Sequence, residues 1–154
     1  MPKPIETVKA GDKSLVINAT PTKELFIDML TRDIALVPAI IDLVDNCADG
    51  AKKIAGDKPL KDYWARLTIN KQEFVIADNC AGITIDTARN YAFRFGRAEG
   101  APSVKHSVGQ FGVGMKRALF KLGSAFRVDS RAEYTSFTLN VDVRTWQALG
   151  EWAL

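Results

Sequence analysis

The residues best placed to do chemistry lie in Val108 to Gly123, which reads VGQFGVGMKRALFKLG. Gly109, Gly112 and Gly114 stand at spacings of three and two. They run directly into a helical pattern carried by Met115, Ala118, Leu119 and Leu122, with Gly123 as its C-cap. Glycine opens backbone angles closed to other residues and lets N–H groups approach a bound group with no side chain between. The first N–H groups of a helix have no internal partner and form the positive end of its dipole. Such a segment is an anion cradle, Lys116 adds a full charge in its first turn, and a chain of phosphates is the natural ligand. The spacing is not that of a Walker loop, which ends in Gly-Lys-Ser/Thr where this chain has Gly114-Met115. Nor is it the dinucleotide fingerprint, which must follow a buried strand, because the run from Gly96 to Ser107 is polar. A flexible linker entering an ordinary helix explains the same glycines, so the choice rests on the rest of the chain.

A second group of polar residues falls on one helix. Asp33 to Ala55 has helical periodicity, Gly56 at its end, and Pro38, which must sit in the first turn or make a kink. At 100° per residue, Ile34, Val37, Ile40, Ile41, Leu43, Val44, Cys47 and Ala48 cover most of the circumference. Asp42, Asp45, Asn46 and Asp49 fill the remaining stripe. A helix apolar on so many sides is expected to be mostly buried. Its three carboxylates would repel one another unless a cation or donors neutralised them, and a pocket holding Mg²⁺ with substrate phosphates meets that need. The plainer reading is a solvated acidic face. A third candidate, Asp78, ends a strand in Ala77-Asp78-Asn79-Cys80-Ala81-Gly82-Ile83, where its carboxylate can accept a hydrogen bond from an exocyclic amine such as that of adenine, or act as an ordinary turn residue.

The surrounding elements follow from pattern. Residues 1–22 read as an arm, and Lys23 to Leu30 as a short helix burying Phe26, Ile27 and Leu30. Tyr63 to Asn70 and Glu73 to Asp78 form a hairpin about an Asn70-Lys71 turn. Thr87 to Phe95 is a second short helix, with Thr84 or Asp86 as N-cap. Gly96 to Ser107 reads as a mobile loop and candidate lid, from which Lys105 would reach a phosphate on closure, whereas His106 is a loop residue. Ala125 to Ser130 and Tyr134 to Val143 are strands, and the tail from Thr145 to Leu154 carries Trp146 and Trp152.

Length and composition set the frame. The 154 residues fit one domain with a real core, residues 23–154 behind the arm. A net charge of +3 is too small to argue for nucleic acid, which would have to bind through regions outside this chain. No apolar run approaches a membrane span and the start lacks a secretion signal. Cys47 and Cys80 match no metal spacing and read as reduced, half-buried residues of a cytoplasmic protein.

The three segments together, Asp42-Leu-Val-Asp45-Asn46-Cys-Ala-Asp49, then Asp78 with Gly82, then Gly109-Gln110-Phe111-Gly112-Val113-Gly114-Met-Lys116, resemble the motifs of the GHKL superfamily of ATPases, in the same order. That superfamily includes gyrase B, the heat-shock chaperones, histidine kinases and mismatch-repair MutL, and the Gly-Val-Gly-x-Lys form looks closest to MORC-like and MutL-like members. The resemblance covers roughly residues 30–125. It implies an α+β fold, a two-layer α/β sandwich of the Bergerat type with a mixed, mostly antiparallel sheet and helices on one face, binding ATP between the helices. It also implies that Asn46 holds Mg²⁺, that Asp78 bonds the adenine amine, and that Lys116 and the glycine segment, Gly109 through Gly114, take the phosphates. Asp49, Gly82, Ile83 and Lys105 complete the implied nucleotide set.

Two departures bear on turnover. The family carries Glu four residues before the Asn, as the base that activates water, and this chain has Asp42, one methylene shorter. The family's Asp-x-Gly-x-Gly has Cys80 at its first glycine. No Gly-Thr strand follows the glycine-rich helix, and the chain reads as the N-terminal part of a longer protein. The resulting expectation is slow ATP hydrolysis, with Asp42 as base and Lys116 stabilising transferred charge, driving lid closure and pairing of two copies through the arm and lid. The alternative is a nucleotide-gated interaction module with little or no hydrolysis. A histidine-kinase reading fits poorly, because there is no helix carrying a phosphoacceptor His.

Overall fold

The computed structural model describes residues 18–95 and 113–154. The arm up to residue 17, the lid with Lys105 and His106, and Gly109, Gln110, Phe111 and Gly112 lie outside the described residues. The described elements are α1 (Lys23–Thr31), α2 (Leu36–Ala55), β1 (Ala65–Ile69), β2 (Phe74–Asp78), α3 (Ile85–Thr87) continuing as a π-helical turn (Ala88–Ala92), α4 (Gly114–Leu122), β3 (Ala125–Arg131), β4 (Ser136–Asp142) and α5 (Val143–Ala148).

Local chemistry sets the boundaries. Thr22 caps α1 by accepting the Leu25 N–H at 3.2 Å, and Thr84 caps α3 by accepting that of Thr87 at 3.1 Å. Pro38 falls in the first turn of α2, where its missing N–H leaves no helical bond unmade. Gly56 ends α2 at φ 57°, with its N–H on Lys52 O at 2.9 Å. Gly123 ends α4 without that device: its φ of −158° is ordinary extended backbone. The tail holds a helix that its sequence pattern did not suggest. Asp142 accepts the Thr145 N–H at 2.7 Å and starts α5, and that bond holds the Asp142 carboxyl below its usual range.

The class is α+β, as expected, but the sheet is divided. β1 pairs antiparallel with β2 in the register Leu67↔Ile76, and β3 with β4 in the register Val128↔Leu139. Among the described residues no ladder joins the two hairpins and no strands run parallel, so the expected mixed sheet is here a pair of hairpins. They meet at the residues after Asp78. Gly82, at φ 65°, lies so close to Arg131 O that any Cβ would overlap it, while Ser130 Oγ accepts the Ile83 N–H at 2.6 Å and donates to Ile83 O at 3.1 Å.

Two apolar clusters flank α4. Ile34, Ala39, Leu43 and Ala118 pack with Phe74, Ile76, Met115 and Leu122, joining α2, α4 and the β1–β2 hairpin. Ile27, Phe120, Val141, Val143 and Trp146 pack with Leu30, Phe95, Phe126 and Leu139 on the other side. Lys23 fastens that second cluster. Its ammonium donates to the carbonyls of Trp146, Leu149 and Glu151 at 2.6, 2.7 and 2.5 Å, satisfying the C-terminal end of α5. The expectation that α2 is mostly buried is corrected. Only one side is covered, with Ala39, Leu43, Ala51 and Ala55 buried, while Leu36, Val37, Ile41 and Ile54 are exposed. A two-layer arrangement has nothing among the described residues to place on the outer side of that helix.

Candidate active site

The polar stripe of α2 is the spine of the site. Near its middle, Asp42 faces the first turn of α4. A Cβ built on Gly114 would stand 3.3 Å from Asp42 Cγ and Oδ2, so the glycine leaves just the space the carboxylate fills. Ala39 and Ala118, both fully buried, sit at the same helix crossing, and small side chains there let α2 and α4 approach closely. Asn46 lies one turn further along and donates from Nδ2 to Asp42 O at 2.8 Å.

Two turns on, the same helix meets the strand-end segment. Gly50 packs so tightly on Cys80 O that a side chain there would overlap it. Burial pushes the Cys47 thiol up to about 12, and the negative charge of Asp78 adds to the shift. Cys80 is raised for the same two reasons, in the same order. Both thiols are free, and their raised pKa values disfavour the reactive thiolate. Asp78 accepts the Cys80 N–H at 2.7 Å through Oδ1. Cys80, at the family's first glycine, is accommodated because the positive φ falls elsewhere, on Ala81 at 80° and Gly82 at 65°. Along α2 the levels of Asp42 and Gly50 are eight residues apart, about 12 Å at 1.5 Å per residue.

Lys116 is placed differently from expectation. It is 2 % exposed and its ammonium donates to Ala92 O at 3.0 Å, at the end of the π-helical turn. Burial, with the neutral Ala92 carbonyl as its hydrogen-bond partner among the described residues, pulls its pKa down to about 8. The reason is helical geometry: Lys116 stands four residues before Phe120, on the flank of α4 that packs into the aromatic cluster. The cation at Asp42 is Arg117, whose Nη2 donates to Asp42 Oδ2 at 2.9 Å. Arg117 was missed in the sequence, although it stands three residues after Gly114 and so beside the glycine's face.

The carboxylates of the stripe do not form a metal cage. Asp42 is paired with Arg117, Asp49 has Lys52 at 4.0 Å, and among the described residues no three His, Cys, Asp or Glu converge on a metal. A Mg²⁺ ion would therefore be held mainly by phosphate oxygens and water. Asn46 suits that arrangement, since its Nδ2 is committed to Asp42 O while its amide oxygen is a hard donor. Gly82 and Ile83 serve the junction between hairpins, with the Ile83 N–H already given to Ser130. Val113 and Gly114 open α4 directly beside Asp42.

The acidic-and-amide edge of α2 thus meets the glycine-started α4 at Asp42 and the segment after the strand-end Asp78 at Gly50, within an α+β fold. The family model described as histidine kinase-, DNA gyrase B- and HSP90-like ATPase matches residues 34–154, and the chain belongs to that family. No curated protein matches it in a sequence comparison. Among the described residues no helix is long and apolar enough to cross a membrane.

Proposed function

We propose that the chain binds ATP with Mg²⁺ along α2, adenine at Asp78 and phosphates at the start of α4, and hydrolyses it slowly. The observation that carries this reading is the placement of Gly114 against Asp42 at one level of α2 and of Cys80 and Asp78 against Cys47 and Gly50 at another. The helix dipole and unpaired N–H groups of α4 favour phosphate at the first level. The Asp78 carboxylate, an acceptor at the strand end, suits an amine at the second. Asp42 is the proposed base and Asn46 the proposed Mg²⁺ contact; bound Mg²⁺ would neutralise phosphate charge there. Nucleotide-dependent pairing of two copies, as in MORC-like and MutL-like machines, is the proposed use.

A thermal-shift titration with ATP, ADP and GTP, with and without Mg²⁺, tests the ligand, the base preference and the metal together. We expect ATP to raise the melting temperature more than GTP, and more with Mg²⁺ than without. Asn46→Ala should remove the Mg²⁺-dependent part, whereas Asp42→Asn should keep binding and lose turnover. No shift with any nucleotide would sink the reading. The second reading, a nucleotide-gated module without hydrolysis, is favoured by the short stem of Asp42; it predicts a full ATP shift and no phosphate release.

A further inference from the structure

The Asp42–Arg117 pair has features that a chance surface ion pair lacks. It joins α2 to α4 across the crossing at Ala39 and Ala118, with Nη2 on Oδ2 at 2.9 Å. On the Arg117 side, Nε is buried and has no hydrogen-bond partner among the described residues, so a donor is left over on the guanidinium that pairs with the carboxylate. Leaving a buried donor unsatisfied is costly, which invites a reason for arginine at this position. On the Asp42 side, Gly114 fits the aspartate closely, with its absent Cβ position only 3.3 Å from Cγ.

We propose that Arg117 is a positioning residue that holds the Asp42 carboxylate at the start of α4, and that Gly114 and Arg117 together shape this site for aspartate rather than the longer glutamate. The inference rests on the proposed ATP hydrolysis. In that step a water oxygen bonds to the γ-phosphorus as its bond to the bridging oxygen breaks. The bridging oxygen keeps the electron pair and leaves with ADP, and Asp42 takes the water's proton. A carboxylate free to rotate would meet that water in few of its orientations. Arg117 engages Oδ2 and fixes where Oδ1 lies, while the neighbouring helix start receives the phosphate. The short stem of Asp42 is matched by the close approach of α4.

The test is steady-state phosphate release with ATP binding measured separately by calorimetry, on the whole chain. Arg117→Gln should lower kcat about 10- to 100-fold and leave KM within about threefold, the signature of lost orientation and not of lost binding. Arg117→Lys should recover part of the rate, because an ammonium keeps the charge without the planar fork; it carries the test if Arg117→Gln does not melt cooperatively. Adding Arg117→Gln to Asp42→Asn should cost nothing more, since a positioning residue has no role once its client is gone. Asp42→Glu should slow turnover, the longer stem having to displace Gly114 or Arg117. An unchanged or higher kcat in Arg117→Gln, or full additivity with Asp42→Asn, overturns the proposal. So does a parent that binds ATP but releases no phosphate, which leaves nucleotide binding standing. A parent that binds no ATP fails the proposed function itself.

Discussion

The two flanks of α4 treat neighbouring cations in opposite ways. Lys116, on the aromatic flank, is buried with one neutral carbonyl for company. Arg117, one residue on, is half-exposed and paired with a carboxylate of the proposed site. One step along a helix is 100° of rotation, enough to move a charge from a core to a partly exposed ion pair. The aromatic flank, with Phe120, Trp146, Phe95 and Trp152 in ring contact and Phe26 of α1 against Phe95 and Trp152, holds α1 and α5, the first and last described elements, together. The α2 flank is built from alanines and glycine and is organised for close approach. On the proposed reading, stability and chemistry are thus divided between two flanks of one nine-residue helix.

That division is broken most directly from the aromatic side. Trp146 is 3 % exposed and central to its cluster. Trp146→Ala should cost about 3–5 kcal/mol, read from urea melts. If the flanks are separate, the fraction that stays folded should bind ATP with parental affinity. A coupled loss of affinity in the folded fraction would show that the site depends on the far cluster.

Lys116 sharpens the comparison through pH. Its folded pKa is near 8 against an ordinary 10.5, so between those values the unfolded chain holds a proton that the folded chain has released. Stability of the parent should therefore rise over that window relative to Lys116→Met, by about 2 kcal/mol from pH 7 to pH 9.5. Cys47, whose raised pKa acts in the opposite sense above pH 9, is present in both proteins and cancels in the difference. Parallel stability curves would mean that Lys116 is solvated, and the flank would lose its claim to be a core.

How much of this was legible in the sequence depends on the range of the interaction. The periodicity of α2, the hairpin turn at Asn70 and the glycine-started α4 are local patterns, and each appears where the spacing put it. The facing of α4 onto the acidic stripe was also readable, because the family resemblance orders the motifs. Position within a helix was not. Lys116 looked like the phosphate ligand by proximity to the glycines, and only the packing of Phe120 shows that its side is a core. Gly50 attracted no notice as one glycine in a long helix, yet it is where the helix backbone touches Cys80. The exposure of Val37 and Ile41 was hidden for the converse reason, since hydropathy records what a residue prefers and not whether a second layer exists to cover it.

The smallest expected effect concerns the far end of the site. Ala81 holds φ at 80°, which costs an ordinary residue about 1–2 kcal/mol, in the turn that follows Asp78. Ala81→Gly removes that strain and adds freedom to the unfolded chain worth about 0.4–1 kcal/mol, so the net should be a gain of about 0.5–1 kcal/mol. The Asp78 carboxylate is held to this turn by its bond from the Cys80 N–H, and a relaxed turn holds it less firmly. Ala81→Gly should accordingly melt at a higher temperature yet bind ATP slightly more weakly, with GTP affinity unchanged. A parallel change for both nucleotides would place Asp78 away from the base. A destabilised protein would mean that the turn is not strained and that Cys80, standing where the family has glycine, sets its conformation unaided.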